Sequence, residues 1–356
     1  MYLQVLTSEF ARLAPEDQFV FFTPRWADPV FDGPPPPNVT YRLLGGVPTN
    51  RLLRTCYQQT VLASAVERAG LAAFFATATI APLLMRVPVV LAVQFLQFYT
   101  MPEFYGRLRT AYLRLFLPLS VARARVVITF TETARRDLIR HTRADPAKVV
   151  VIPHGLNEEV WAPPQTDGSM GRKLTGGRPF LFYPSATYGY KNHLRLIQAF
   201  ALLKQQYQLP HVLLLAGGEG GVSHRALREA AAAAGVGAEV IVAGRLERVV
   251  PLYHEAAVTV MPSLYETFGY PVLEAMACGC PVVTSNLGSM AELAGDAAVL
   301  VDPYDPASIA DGLARVLLDP VLRAQLVERG RQRAQPFRWS RTAQQTLALL
   351  HKAAHS

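Results

Sequence analysis

Cysteine is scarce in this 356-residue chain, which has only Cys56, Cys278 and Cys280 and no CxxC pair. An odd number of cysteines with this spacing argues against both a disulfide framework and a structural zinc site. We therefore expect a reducing compartment, which favours a cytoplasmic protein. Cys278 and Cys280 flank the end of a predicted helix, and we interpret them as buried packing residues.

Long hydrophobic runs are also missing. The longest apolar stretch, residues 71–85, is shorter than the roughly 20 residues that span a bilayer, and Arg86 and Pro88 follow it. We interpret this stretch as buried core. The chain opens without the basic and then apolar pattern of a secretory signal peptide, so no such leader is expected.

Acidic residues never form a DxD triplet in this sequence. Because a triplet of that kind holds a divalent ion, we expect no metal and no other cofactor. The chain has 35 basic and 27 acidic residues, and its net charge of +8 suggests an anionic partner. No base-reading motif accompanies the charge, so nucleic acid is not the expected partner.

Residues 104–131 contain no acidic residue, and their arginines are interleaved with apolar side chains. The arginines are Arg107, Arg109, Arg114, Arg123 and Arg125. Two interpretations stay open for residues 104–125. They form either an amphipathic surface that docks peripherally on an anionic membrane, at its inner face, or a core helix whose arginines face water.

Strand-like and helical patterns alternate along the chain, which predicts parallel sheets with helices on both faces. The first pattern is a helix, so the first domain is expected to lack its first strand and loop. A stretch rich in Pro, Gly and polar residues at 158–178 is interpreted as a linker. We therefore predict an α/β fold of two Rossmann-like, doubly wound domains facing a cleft. They are residues 1–157, completed by a helix at 336–356, and residues 179–335.

Polar side chains follow several predicted strands of the second half, where ligands collect in open parallel sheets. FLFYPS is followed by ATYGYKNH, in which Lys191 lies where a loop meets a helix and can pair with a diphosphate. The next strand leads into GEGG, which lacks GxGxxG spacing and is interpreted as a loop with a weak phosphate role. The strand EVIVAG leads to Arg245.

The most informative stretch is LYETFGYPVLEAMACG, which follows the strand-like VTVMPS. Glu266 falls in a loop and Glu274 in a helix, so the two carboxylates belong to one pocket but face different parts of a ligand. The amides of residues 268–270 precede the helix at Pro271, and the positive end of a helix favours phosphate or hydroxyl oxygens.

The segments YKNH, ETFGYPVLEAMACGCPVV and TSNLGSMAEL resemble those of retaining glycosyltransferases of family 4, the glycosyl transferases group 1, which have the GT-B fold. The resemblance extends from about Val87 to the end of the chain. It implies that Glu266 contacts the transferred sugar and that Glu274 binds the ribose hydroxyls. It implies that Lys191 neutralises the leaving diphosphate.

The same resemblance implies a wider donor-binding set. Its other members are Ser185, Arg245, Leu246, Phe268, Gly269, Tyr270 and Pro271. Backbone groups at 269–271 would flank the sugar and phosphate, and the loop at 245–246 would touch the base. The implied reaction moves a hexose from a nucleotide sugar, GDP-mannose or a UDP-sugar, to a saccharide or lipid-linked acceptor. The resemblance implies that the transfer retains the anomeric configuration of the sugar. It also implies a role in polysaccharide biosynthesis.

Three features depart from the family pattern. The chain begins after the strand and glycine-rich loop, Gln94 and Phe95 stand where a His-Asp pair is usual, and residues 183–190 contain no arginine. Gln94 is either a hydrogen-bonding substitute that contacts the sugar or a sign of lost activity. Two alternatives therefore stay open: a catalytically silent relative that binds a nucleotide sugar, and a sugar-nucleotide epimerase or phosphorylase of similar fold.

Overall fold

The computed structural model describes residues 2–25, 34–162 and 168–355. The chain divides into two compact units. The first is Met1–Thr100, Gly106–Gly155 and Phe337–Ser356, and the second is Met101–Tyr105 and Leu156–Pro336. Both are α/β units with parallel sheets, the architecture that the alternating pattern predicts. No helix in the described part of the chain is long and apolar enough to cross a membrane.

The first unit contains two separate parallel sheets. The smaller sheet pairs β1 (Phe19–Pro24) with β2 (Val39–Leu44). The larger sheet contains, in spatial order, β3 (Phe74–Ala76), β4 (Val89–Ala92), β5 (Val126–Thr129) and β6 (Val149–Val151). The helices of this part are α1 (Tyr2–Leu13), α2 (Arg51–Tyr57), α3 (Ala63–Arg68), α4 (Gln97–Thr100), α5 (Arg107–Arg123) and α6 (Glu132–Thr142).

The larger sheet lies in the core of the first unit because its strands are continuous apolar runs. Every residue of β4 is buried, as expected for a parallel strand that helices cover on both faces. Helix α6 begins after Thr131, whose hydroxyl accepts a hydrogen bond of 3.0 Å from the amide of Ala134. This cap fixes where the chain turns from β5 into the helix.

The second unit contains a single six-stranded parallel sheet among its described residues. Its strands are β7 (Phe180–Pro184), β8 (Val212–Ala216), β9 (Val240–Gly244), β10 (Val258–Met261), β11 (Val282–Ser285) and β12 (Val299–Val301). Its helices are α7 (Ser169–Thr175), α8 (His193–Tyr207), α9 (His224–Ala233), α10 (Val250–Glu255), α11 (Tyr270–Ala277), α12 (Gly288–Ala294), α13 (Pro306–Leu318) and α14 (Pro320–Ala334). The last helix, α15 (Trp339–Ala354), belongs to the first unit and packs against α1.

The strand order of the second unit is β12-β11-β10-β7-β8-β9. The chain first runs from β7 to one edge of the sheet, then returns beside β7 at β10 and runs to the other edge. Such a reversal is the switch point at which doubly wound sheets bind ligands, outside the carboxyl ends of the strands. The loops after β7 and β10 are therefore the first place to look for a site.

The segment at 158–178, whose composition suggests a linker, contains short helices among its described residues. Its described residues belong to the second unit, where Glu158–Trp161 forms a short 3-10 helix and α7 follows. The amide of Gly171 donates a hydrogen bond of 2.6 Å to Glu255, which anchors α7 to α10. The composition does not predict these short helices, because glycine has a low helix propensity. Residues 163–167 lie outside the described part.

Candidate donor site

Lys191 and Glu266 form an ion pair at the switch point of the second unit. The Lys191 Nζ lies 2.5 Å from the Glu266 Oε1, and the two side chains are only 15% and 10% exposed. They follow β7 and β10, the two adjacent strands between which the order reverses. Because buried charges are stable only when they are paired, each residue holds the other in place.

Several contacts fix the backbone of the loop that carries Lys191. The hydroxyl of Tyr183 donates a hydrogen bond of 2.6 Å to the carbonyl of Lys191, and the amide of Leu264 donates one of 2.8 Å to the carbonyl of Tyr190. The Asn192 Nδ2 donates to the carbonyls of Pro262 and Pro303 at 3.0 and 2.7 Å. Asn192 has a left-handed φ of 67°, a conformation that asparagine tolerates better than most residues. These hydrogen bonds hold the backbone at Lys191 in one conformation and so fix the position from which its side chain extends.

The GEGG segment after β8 supports the same loop, which its sequence did not reveal. The amide of Gly220 donates a hydrogen bond of 2.9 Å to Thr187 Oγ1, and the amide of Thr187 donates one of 3.0 Å to Gly218. A Cβ added at Gly217 would collide with the carbonyl of Ser185, and one at Gly220 would lie 2.8 Å from the amide of Tyr188. These glycines allow two loops to approach closely.

Glu274 lies on α11 and accepts a hydrogen bond of 2.8 Å from the hydroxyl of Tyr253 on α10. Burial raises the pKa of the Glu274 carboxyl, and the Tyr253 hydrogen bond opposes that rise. Sequence reasoning missed Tyr253. The sequence offered one indication, a tyrosine in a largely apolar helical segment. A buried tyrosine hydroxyl needs a hydrogen-bond partner, so a polar contact could have been expected there.

The start of α11 follows the loop that carries Glu266. Gly269 has a φ of 132°, and a Cβ there would lie 2.9 Å from the Met290 Sδ. Phe268 is buried, and its ring packs edge-on against Tyr270 with centroids 5.1 Å apart. Pro271 lies in the first turn of α11, where an N–H has no acceptor within the helix, so proline costs no helical hydrogen bond there. The start of this helix carries partial positive charge.

The other predicted site residues are more scattered. Ser185 is buried at the end of β7, next to the Lys191 loop. Arg245 is exposed beyond β9, two strands away from β7, and Leu246 beside it is half-buried. In the described part of the chain, no hydrogen bond or ion pair joins Arg245 to Lys191, Glu266 or Glu274.

Gln94 lies in the first unit, just after β4. Its amide donates a hydrogen bond of 3.1 Å to Thr79 Oγ1, and its Nε2 is buried without a hydrogen-bond partner among the described residues. Cys278 and Cys280 are buried, as the sequence predicts for packing residues. The described residues contain no group of three or more His, Cys, Asp or Glu side chains that could hold a metal ion.

Two family models match this chain. The model described as "Glycosyl transferases group 1" matches residues 171–333, which include Lys191, Glu266 and Glu274. The model described as "Glycosyltransferase Family 4" matches residues 3–160.

Among curated proteins, the chain is 32% identical over 246 residues to the D-inositol 3-phosphate glycosyltransferase of Acidothermus cellulolyticus. That match covers 65% of this chain and 54% of the relative. It is 28% identical over 260 residues to O-antigen chain mannosyltransferase B of Escherichia coli, covering 70% of this chain and 66% of the relative. The chain thus spans between about half and two thirds of the length of these two relatives.

Two solved structures share the fold over nearly the whole chain. Sucrose-phosphate synthase of Thermosynechococcus elongatus has a TM-score of 0.81 at 22% identity, covering 99% of this chain and 92% of that protein. HepE of Anabaena, solved in complex with UDP and glucose, has a TM-score of 0.75 at 19% identity, covering 98% and 95%. At these identities the likeness concerns the fold alone. With both family models matched and a two-domain α/β GT-B fold, the chain belongs to glycosyltransferase family 4.

Proposed function

We propose that the chain is a glycosyltransferase that moves a hexose from a nucleoside-diphosphate sugar to a saccharide or lipid-linked acceptor. The observation that carries the proposal is the Lys191–Glu266 pair at the switch point of the second unit. Membership of family 4 supports the reaction class, and retention of the anomeric configuration is the outcome expected for that family.

Charge development in the reaction explains why a cation belongs at this place. Cleavage of the anomeric bond leaves positive charge on the sugar ring and negative charge on the departing phosphate oxygen, and fixed positive groups stabilise the latter. Lys191 donates to the diphosphate, and the amides at the start of α11 add partial positive charge. Glu266 then faces the sugar whose ring becomes cationic.

Glu274 has the geometry of a hydroxyl acceptor. Its Oε2 is already occupied by the Tyr253 hydroxyl, which leaves Oε1 to accept from a ribose hydroxyl. We assign Ser185 and residues 268–271 to the walls of the same donor pocket, and residues 245–246 to contact with the base. Gln94 would donate from its Nε2 to a sugar oxygen, because a buried N–H is costly without an acceptor.

Metal-independent transfer is part of the same proposal. A lysine ammonium and a helix start both neutralise phosphate charge, which is the task a divalent ion performs elsewhere. Neither Lys191 nor the start of α11 determines which base and which sugar the donor carries. A relative is named a mannosyltransferase and a structural neighbour was solved with UDP and glucose, so GDP-mannose and UDP-sugars are the donors to test first.

The exposed face of α5 supports an anionic membrane surface as a partner. Leu108, Leu115 and Leu119 are 76%, 60% and 46% exposed and share one side of the helix, since their spacing of seven and four residues matches its period. Exposed arginines flank them, namely Arg107, Arg109 and Arg114. Apolar anchors bordered by basic side chains fit the interface of an anionic bilayer, near which a lipid-linked acceptor would lie.

A screen of nucleotide sugars tests the function. A donor that binds the folded chain raises its melting temperature, so UDP-, GDP- and ADP-sugars can be ranked by thermal shift. The best donor is then incubated with saccharide and lipid-linked acceptors, with and without EDTA, and sugar transfer is followed by mass spectrometry. Transfer that persists in EDTA supports the proposal. Binding without any sugar release would favour the silent relative, and an epimerised or phosphorolysed product would favour the second alternative.

A further inference from the structure

A basic cavity of about 580 Å³ lies at one edge of the larger sheet of the first unit. Its walls carry the cationic side chains of Arg86, Arg123, Arg125 and Lys148, together with the carboxylate of Asp145. The remaining lining residues are proline or alanine, so the charged groups dominate the chemistry of this cavity. A concave surface lined mainly by cations attracts anions.

Three adjacent strands bring the cations together. Arg125 and Lys148 immediately precede β5 and β6, and Arg86 lies three residues before β4. The amide of Arg125 donates a hydrogen bond of 2.8 Å to the carbonyl of Val89, which aligns the starts of β4 and β5. Neighbouring parallel strands lie about 4.8 Å apart and begin at the same edge of a sheet. This is the amino edge, opposite the end of β4 that leads to Gln94.

Backbone carbonyls hold two of the cations in place. Arg123, at the end of α5, donates from its Nε to the carbonyl of Met85 at 3.1 Å and from its Nη2 to that of Val87 at 3.2 Å. The Nζ of Lys148 donates to the carbonyl of Ala122 at 2.7 Å. A guanidinium and an ammonium each have more N–H donors than these contacts use. Both cations are therefore positioned for a further acceptor, which lowers the entropic cost of binding one.

The carboxylates near the cavity neutralise only part of its charge. Asp145 accepts a hydrogen bond of 2.9 Å from the amide of Ala147, and Glu67 accepts one of 3.1 Å from the amide of Val87. The charges of Arg86 and Arg123 act on Glu67, which lies beside the cavity. Four cations thus stand against two carboxylates, which leaves an excess of two positive charges.

The cations are close enough to affect one another. Burial lowers the pKa of Lys148, Asp145 opposes that change, and the charges of Arg123 and Arg125 add to it. Like charges that are held together in this way repel each other and cost stability. A bound anion would remove that repulsion.

We propose that this cavity binds a phosphate group, whether in solution or as the phosphomonoester headgroup of a lipid. A phosphomonoester carries about two negative charges at pH 7, which matches the excess positive charge of the cavity. Its several oxygens accept hydrogen bonds from different directions, as cations from three chain segments require, and guanidinium groups match phosphate geometry. Phosphate binding here goes beyond glycosyl transfer and is independent of it.

Acetylation of lysines tests the site in the unsubstituted chain. The chain is treated with a limiting amount of acetylating reagent in phosphate or in chloride of the same ionic strength, and the modified lysines are identified by mass spectrometry. We expect saturating phosphate to slow acetylation of Lys148 by about threefold or more, because the bound anion engages its ammonium group. Lys173, which is exposed in the second unit, should react equally in both salts.

A pair of double variants tests the same site by thermal unfolding. Both are made in the Lys191→Ala chain, so that the cation of the proposed donor site is absent. Phosphate should raise the melting temperature of Lys191→Ala, and adding Arg125→Gln/Lys148→Gln should weaken the phosphate affinity by about tenfold or more. The control adds Arg136→Gln/Arg140→Gln, which removes two exposed charges of the same unit and should leave the phosphate shift unchanged.

Vesicles distinguish the two sources of the phosphate. Protection of Lys148 by free phosphate assigns the site to a soluble phosphate. Protection by phosphatidic acid vesicles alone, beyond that by vesicles of phosphatidylglycerol, assigns it to a lipid headgroup, and either result supports the proposal. If neither source protects Lys148 beyond its comparison, or if both double variants keep the same phosphate shift, the proposal is overturned. If Arg125→Gln/Lys148→Gln does not fold, the acetylation of the unsubstituted chain decides.

Discussion

The hydroxyl of Tyr253 donates a hydrogen bond of 2.8 Å to Glu274 across two helices of the second unit. Burial and the neighbouring Glu274 charge raise the pKa of Tyr253 well above its ordinary value, so the hydroxyl remains a donor at any working pH. Burial also raises the pKa of Glu274. The tyrosine therefore fixes the orientation of the carboxylate that we assign to the donor ribose.

Removing that hydroxyl should weaken donor binding without removing the carboxylate. We expect Tyr253→Phe to lower the affinity for the donor nucleotide by about two- to tenfold, because the carboxylate remains but loses the hydrogen bond that orients it. Glu274→Ala should abolish measurable binding. Calorimetric titration of the nucleotide measures both effects. Tyr304→Phe, at an exposed tyrosine of the same unit, is the control. Affinity of Tyr253→Phe equal to that of the parent would remove the positioning role.

The neighbouring glycines Gly217 and Gly218 offer a matched pair of substitutions. A Cβ at Gly217 collides with the backbone of Ser185, whereas one at Gly218 meets nothing within 4 Å. Gly217→Ala should therefore displace the loop that carries Lys191, lowering the melting temperature and the donor affinity together. Gly218→Ala should leave both near the parent values. Similar effects of the two substitutions, measured by thermal unfolding and nucleotide titration, would show that the close approach is unimportant.

The ends of β7 and β10 were predictable because each is marked within one short stretch of sequence. In each, an apolar run is followed by a loop with a charged residue, Lys191 or Glu266. Their pairing follows from strand order, which the sequence indicates only through the general rule for doubly wound sheets. Tyr253 and the Thr187–Gly220 contact were not predictable, since each joins segments that are far apart in the chain. The helices at 158–161 and 169–175 were not predictable, because such short helices owe their stability to packing.

The folded chain should lose stability in mild acid because of His154. Burial lowers the pKa of His154 to about 3, from an ordinary value of 6.5, and its ring stacks on Phe130 at 3.7 Å. The unfolded chain binds a proton at this residue below pH 6.5, whereas the folded chain does not until about pH 3. The contribution of neutral His154 to the free energy of unfolding is thus fully present above pH 6.5. It falls as the pH drops, and about 2 kcal/mol is lost at pH 5.

His154→Phe should flatten this part of the pH profile, because phenylalanine suits the same aromatic surroundings and does not titrate. Urea unfolding at pH 7 and pH 5 measures the difference. The exposed His355 provides the control substitution, His355→Phe, which should keep the slope of the parent. An unchanged slope in His154→Phe would mean that other groups govern the acid sensitivity.

Vesicle binding tests the proposed role of α5. We expect the parent chain to co-sediment with vesicles of phosphatidylglycerol and phosphatidylcholine, but not with phosphatidylcholine alone. Leu108→Ser/Leu115→Ser should weaken this binding by about tenfold or more, because each buried leucine contributes more than about 1 kcal/mol. Leu202→Ser/Leu318→Ser removes two exposed leucines of the second unit and should have no effect. Equal losses in both double variants would contradict a specific docking face.

The most direct test of the account is calorimetric titration of UDP and GDP into the parent chain and into Lys191→Ala. The account predicts that the parent binds at least one of the two diphosphates and that Lys191→Ala weakens its binding by about 10- to 100-fold, the loss expected for a hydrogen bond to a charged group. Lys173→Ala, at an exposed lysine of the same unit, should bind like the parent. Unfolding curves without ligand confirm that each variant is folded. Parent-like affinity in a folded Lys191→Ala would contradict the assignment of the diphosphate to the switch point between β7 and β10.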